Sequence, residues 1–181
     1  VNIWSEQLAT SYGLTLKASA SGGLSYAQGG ARVAGAAPSI QTQIDTLLAA
    51  NTLGSSDVVL ISGGITDIVA EVTALGISAA TTDNVKAAGT ALGAQVHRLV
   101  AAGAKQVVVV GPYNLGLSPW AVGLGQAAGL TDLTNRFNEA FLISVVDLGA
   151  NVLYVDAALY FNLVHAAPTG YAMVNVTDKA C

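Results

Sequence analysis

The sequence predicts an α/β protein, a parallel sheet with helices on both faces that together form a three-layer αβα sandwich. Three observations carry this reading. Strand-like and helix-like stretches alternate along the chain. The strongest strand candidates are near-continuous Val, Ile and Leu runs, the pattern of strands buried on both faces. And 52% of the residues are apolar while only 10% are charged, which suits a sheet covered on both sides. At 181 residues the chain fits one domain, 1–181, with a sizeable core.

The elements follow in order. Glu6 to Tyr12 is a short helix stopped by Gly13. "LTLKAS" (14–19) is a short strand, and the Gly-rich "SGGLSYAQGGARVAG" (21–35) is a long turn. Ser39 caps a helix whose apolar positions are Ile40, Ile44, Leu47 and Leu48. Asp57 opens the strand "VVLIS", and "SGGITD" turns after it. Asn84 to Ala102 is a helix with Val85, Ala88, Leu92, Val96 and Leu99 on one face and Gly103 as its stop. "KQVVVVGP" (105–112) is the most hydrophobic strand, ended by Gly111-Pro112, and "YNLGLSPW" leads away as a loop. Thr131 or Asp132 caps a helix carrying Leu133, Phe137, Phe141, Val145 and Leu148, ended by Gly149. "NVLYVD" (151–156) is a strand and Ala157 to Val164 a short helix. Ligands of such sheets bind beyond the carboxyl ends of the strands, here near Gly63–Asp67, Gly111–Gly116 and Asp156.

Composition excludes several functions. Seven basic against eleven acidic side chains, with no Lys/Arg cluster, provide no footprint for nucleic acid. A membrane span needs about 18 consecutive apolar residues. The best stretch, Leu99 to Val110, is broken by Lys105 and Gln106. "VNIWSEQLATSYG" carries none of the features of a signal peptide and reads as the middle of a folded protein. Few charges and abundant Ala, Gly, Ser and Thr point to a secreted bacterial protein. Cys181 is the only cysteine, so no disulfide forms within the chain, although it could be half of a bridge to a segment beyond it.

Candidate sites narrow by chemistry. A dinucleotide fingerprint needs G-x-G-x-x-G between a strand and a helix. "GLGQAAG" (123–129) has the wrong last spacing, "SGGITD" lacks the third glycine, and no Walker lysine exists. The two histidines, His97 and His165, lie far apart without carboxylates at metal-ligand spacing. "NLVHAAPTGYA" (162–172) suggests a D-x-x-H-P catalytic pair. However, Asn162 stands where the carboxylate belongs and Ala166 follows His165, so the histidine reads as a loop or helix-end residue.

Two Gly-rich turns remain, "SYAQGGAR" (25–32) and "GGITD" (63–67). The first is close to N-Y-A-x-G-G-A-R and the second to G-G-x-N-D, motifs of the GDSL or SGNH ester hydrolases, which this chain resembles. The resemblance continues in order through "AGAKQVVVVGPYNLGLSP", "TDLTNRFNEAF" and "APTGYAMVNVTDKAC". It implies the flavodoxin-like fold of that family. It also implies a secreted, periplasmic or cell-surface esterase or lipase with a serine nucleophile, an ester substrate (lipid, acylated sugar or short-chain ester), and neither metal nor cofactor. The family's first block, with the nucleophile and the first strand, would precede Val1. Its D-x-x-H block would follow Cys181, so residues 1–181 correspond to the oxyanion half of the domain.

The resemblance also assigns roles. A tetrahedral oxyanion needs preorganised N–H donors, and a turn without Cβ atoms brings the backbone close enough to supply them. The N–H of Gly30, or of Gly29 if the register differs by one, is then a donor, and Gly64 and Asp67 shape the second turn. The family's side-chain donor is an asparagine, and this chain has Thr66 there. A threonine hydroxyl donates directly, donates through a water, or turns to a backbone carbonyl and weakens the hole. Asp67 is expected to accept backbone N–H bonds rather than to act as a base. The rival reading is a binding or scaffold module that keeps the fold without catalysis.

Overall fold

The computed structural model describes residues 3–178. Among them three strands form one parallel sheet in the order β1 (Val58–Ser62), β2 (Gln106–Val110), β3 (Val152–Val155). The register places Val59 beside Val107 and Val107 beside Val152. One pleat on, Ile61, Val109 and Tyr154 are aligned in the same way. The strands advance across the sheet in one direction, so right-handed crossovers place both connections on the same face. That face is the core. Ile61, Val107 and Val109 are buried there against Leu92, Val96 and Leu99 of α4 (Ala79–Ala101) and Phe137 and Phe141 of α6 (Ala127–Ser144). Ile40 and Ile44 of α2 (Ile40–Ala50) join the same cluster. The opposite face carries Val58, Leu153 and Val155 at 54, 61 and 40% exposure. The α/β class and the parallel sheet are therefore present. The arrangement is compatible with a three-layer sandwich, with these three residues left exposed on the second face.

Glycines let the two main helices of the core approach closely. Gly89 and Gly93, one turn apart on α4, face α6. A Cβ at Gly89 would overlap the Phe137 carbonyl, and one at Gly93 would overlap the Ser144 hydroxyl.

Several elements differ from the sequence expectation. Residues 14–19 form no strand; the segment makes only an isolated bridge, Ala18 to Ser25. An extended segment needs a partner ladder to become a strand, and this one reaches none among the described residues. The turn after β1 runs directly into an unexpected helix, α3 (Ile65–Leu75). α4 begins five residues before Asn84, because the Ser78 hydroxyl accepts from the Thr81 N–H at 3.2 Å and caps it. α6 starts ahead of Thr131 and ends at Ser144, after which 146–151 continue as 3₁₀ turns. The loop after β2 contains α5 (Pro119–Gly123), capped by Ser118. α7 (Ala157–Ala166) is capped by Asp156, whose carboxylate accepts from the Leu159 N–H at 2.8 Å. The first helix, α1 (Trp4–Ser11), buries no residue. Cys181, and any bridge it makes, lies outside the described residues. No helix among the described residues is long and apolar enough to cross a membrane.

Candidate functional site

β1 ends at Ser62, and two glycines lead into α3. Gly64 is the N-cap of that helix at φ +105°, in the left-handed region that L side chains avoid. A Cβ there would also stand 2.5 Å from the Phe137 ring and 2.7 Å from Pro112. Conformation and space both require glycine. The consequence is a sharp turn that sets the N-terminus of α3 just beyond the carboxyl end of β1. The first backbone N–H groups of a helix have no acceptor within it, and there they favour negative charge.

The other Gly-rich turn is fastened to this helix. Val33 is fully buried, and its N–H points between the two oxygens of Asp67, at 3.2 and 3.1 Å. Its carbonyl accepts from Gln41 N–H at 3.0 Å, and that of Arg32 accepts from Ile40 N–H at 2.9 Å. Arg32 donates to Asp67 at 3.4 Å and pairs with Glu71, which accepts a further 2.7 Å bond from Asn84. Asp67, near the start of α3, thus holds the chain just after Gly30 against β1 and α3. Asp67 is only 2% exposed. Burial pushes the Asp67 carboxyl above its ordinary value, opposed by the Val33 N–H and the Arg32 guanidinium. Glu71, more accessible and bonded to Asn84 and Arg32, is held below its ordinary value.

Between the two turns lies a cleft of about 200 Å³ bordered by Gly29, Gly30, Gly63, Gly64, Gln43 and Thr66. No charged side chain among the described residues lines it. Gly30 adopts φ +73° and faces open space. The N–H groups of Gly29 and Gly30 have no acceptor among the described residues. The Thr66 hydroxyl is half-buried and makes no hydrogen bond to a backbone carbonyl among the described residues, so it stays free to donate. Gln43 was not singled out in the sequence, yet its amide nitrogen is buried with no hydrogen-bond partner among the described residues. The signal existed: Gln43 sits one turn after Ile40 and beside Ile44, a polar residue bordering the apolar stripe of α2. An uncharged cleft bordered by unspent N–H and O–H donors suits a carbonyl oxygen that gains negative charge.

The remaining candidates lie elsewhere. His97, on α4, contacts the Ser144 carbonyl at 2.9 Å and Asp147 at 3.4 Å, half-exposed at the end of α6. His165 sits in the last turn of α7. Asn162 accepts a 2.8 Å bond from Asn114, which steadies the loop after β2 rather than orienting a histidine. Comparison with models of known protein families and with curated proteins found no match.

Proposed function

We infer that the chain carries the oxyanion half of a carboxylic-ester hydrolase of the SGNH class. One observation supports this above the others: two Gly-rich turns, distant in sequence, border a single uncharged cleft with the Gly29 and Gly30 N–H groups, the Thr66 hydroxyl and the Gln43 amide nitrogen, none of them partnered among the described residues. In this mechanism a serine attacks the ester carbonyl and a histidine takes its proton. The oxygen that becomes anionic settles among these donors, each contributing about 3 to 4 kcal/mol of transition-state stabilisation. The motif resemblance matches neither nucleophile nor base to a residue within 1–181. Gln43 borders the cleft beside Thr66, and a small side-chain movement that uncovers its buried nitrogen would supply the carboxamide that Thr66 lacks.

Hydrolysis of p-nitrophenyl acetate by the intact protein tests the reading. Gln43→Leu should lower kcat by about ten- to a thousand-fold at similar KM, and residues 1–181 alone should show no turnover. The alternative of a non-catalytic binding module is favoured by Thr66 in place of an amide. Absence of turnover in the intact protein would select it.

A further inference from the structure

β3 is an outer strand of the sheet among the described residues, and its free edge is poorly guarded. A strand edge offers unpaired N–H and C=O groups to any strand that approaches, and natural edges are protected by charge, proline or a bulge. Val152–Val155 contains neither a charged residue nor a proline, and its register with β2 is unbroken. The direction of its backbone groups follows from one bond. Gly111 N–H donates to the Val155 carbonyl at 3.4 Å, so Val155 and, two residues back, Leu153 turn their N–H and C=O towards β2. Val152 and Tyr154 therefore turn theirs outward, where no backbone partner meets them among the described residues.

The surface beside this edge is apolar on both faces. Leu153 and Val155 are exposed on the open face of the sheet. On the other face Leu142 of α6 and Leu159 of α7 flank Tyr154, and Ile143 and Val146 lie at the end of α6, where the chain turns into β3. These six residues are 40 to 79% exposed. At roughly 100 Å² for a fully exposed side chain they present about 350 Å² of apolar surface. Somewhat more than half of an interface is apolar, so this supports about 600 Å² per copy and about 1,200 Å² in a pair, the lower end for stable, specific association.

We propose that the chain forms a two-fold dimer in which β3 pairs antiparallel with β3 of a second copy, joining the two sheets into one. With the axis at Tyr154, each Tyr154 N–H donates to the Tyr154 carbonyl of the other copy, and each Val152 carbonyl accepts from the Asp156 N–H. Leu153 of one copy then lies beside Val155 of the other on the open face, and both are covered. Within the strand pair no acid faces an acid: Asp156 meets Val152, and its carboxylate stays on the Leu159 N–H. Such a pairing uses the same edge on both copies, so it closes on itself as a dimer. The cleft lies beyond β1 at the opposite edge of the sheet, so the proposal is independent of ester hydrolysis.

The test is sedimentation velocity of the intact protein from low micromolar to near-millimolar concentration, paired with amide hydrogen exchange at both extremes. A reversible dimer with Kd in the micromolar range is expected from an edge this short. On dimerisation the Val152 and Tyr154 amides should slow at least about tenfold, while those of Leu153 and Val155, already bonded to β2, change little. Leu153→Lys puts a charge at an exposed position of the monomer and two charges into the dimer contact. It should weaken the dimer at least about tenfold and leave the melting temperature of the dilute protein unchanged. The wild-type exchange pattern decides the matter even if that variant folds poorly. The proposal is overturned by a protein that stays monomeric throughout, or by a dimer whose Kd is unchanged in Leu153→Lys. A dimer that leaves the Val152 and Tyr154 amides unprotected overturns it too, since its contact lies elsewhere. So does protection of both amides in the dilute monomer, which would show the edge occupied by another segment.

Discussion

Asp67 shows how much of the site rests on one buried carboxylate. It receives the Val33 N–H on both oxygens and the Arg32 guanidinium on one, and so holds the Gly29–Gly30 turn beside Thr66. Burial is nonetheless the largest influence on its proton affinity and lifts it above the ordinary carboxylate value. The folded state then binds this proton more tightly than the unfolded chain, so the Asp67 contribution to stability is largest at acid pH and declines as pH rises through the folded value. Asp67→Asn removes that slope. We expect it to cost about 1–3 kcal/mol near pH 4, where the loss of its bonds dominates, and less as pH rises towards neutrality. Urea denaturation of both proteins across that range checks the sign, and a cost that grows with pH would contradict it. Glu71 behaves oppositely: bonded to Asn84 and Arg32, it stabilises above its unfolded value, and that contribution fades as pH falls through the folded one. At Gly30 the backbone conformation alone forbids a side chain. Gly30→Ala should therefore cost about 1–2 kcal/mol in chemical denaturation, whereas Gly29→Ala, with open space and no unusual φ, should be close to neutral.

Elements were legible in proportion to how local their causes are. The cap at Ser39, the stripe of α4 and the apolar runs of β1, β2 and β3 are written in adjacent residues, and each forms where the pattern places it. α3 was missed although Ile65, Ile68, Val72 and Leu75 carry its period. The left-handed Gly64 that starts it looks like a plain turn, because the reason for that glycine is Phe137, more than seventy residues away. Residues 14–19 show the converse. "LTLKAS" alternates as a strand should, but pairing is a tertiary fact and no partner reaches it. The cleft was half legible. Its two turns could be read from their glycines, whereas Gln43 enters it only because α2 lies beside the turn after β1, with Ile40 against Gly63. The α4–α6 contact permits a test in which two effects oppose. Gly89→Ala should gain about 1 kcal/mol of helix propensity, yet the added methyl meets the Phe137 carbonyl, a backbone atom that cannot step aside cheaply. Steric cost of about 1–3 kcal/mol should win, giving a net loss in thermal or chemical denaturation. A stabilised variant would mean that the helices separate more easily than their packing indicates.

At the scale of the molecule, the sheet is asymmetric. β2 is paired on both sides, while β1 and β3 are its edges among the described residues, and Val58, Leu153 and Val155 leave apolar surface open on one face. In residues 1–181 expressed alone, hydrogen exchange should leave β2 amides the most protected and alternate β1 amides fast, since an unpaired edge presents half its N–H groups to water. Equal protection along β1 and β2 would show that another strand covers that edge. The cleft lies at the carboxyl end of this same β1, where the proposed chemistry needs the nucleophile to arrive. The most direct measurement is therefore kcat for a p-nitrophenyl ester in the intact protein, compared among wild type, Thr66→Ala and Thr66→Asn with the melting temperature monitored. Loss of one oxyanion donor should lower kcat by about ten- to a thousand-fold in Thr66→Ala with folding unchanged, while Thr66→Asn, which restores a donor, retains or raises it. If kcat is the same in all three, Thr66 is only a turn residue and the oxyanion reading of the cleft fails.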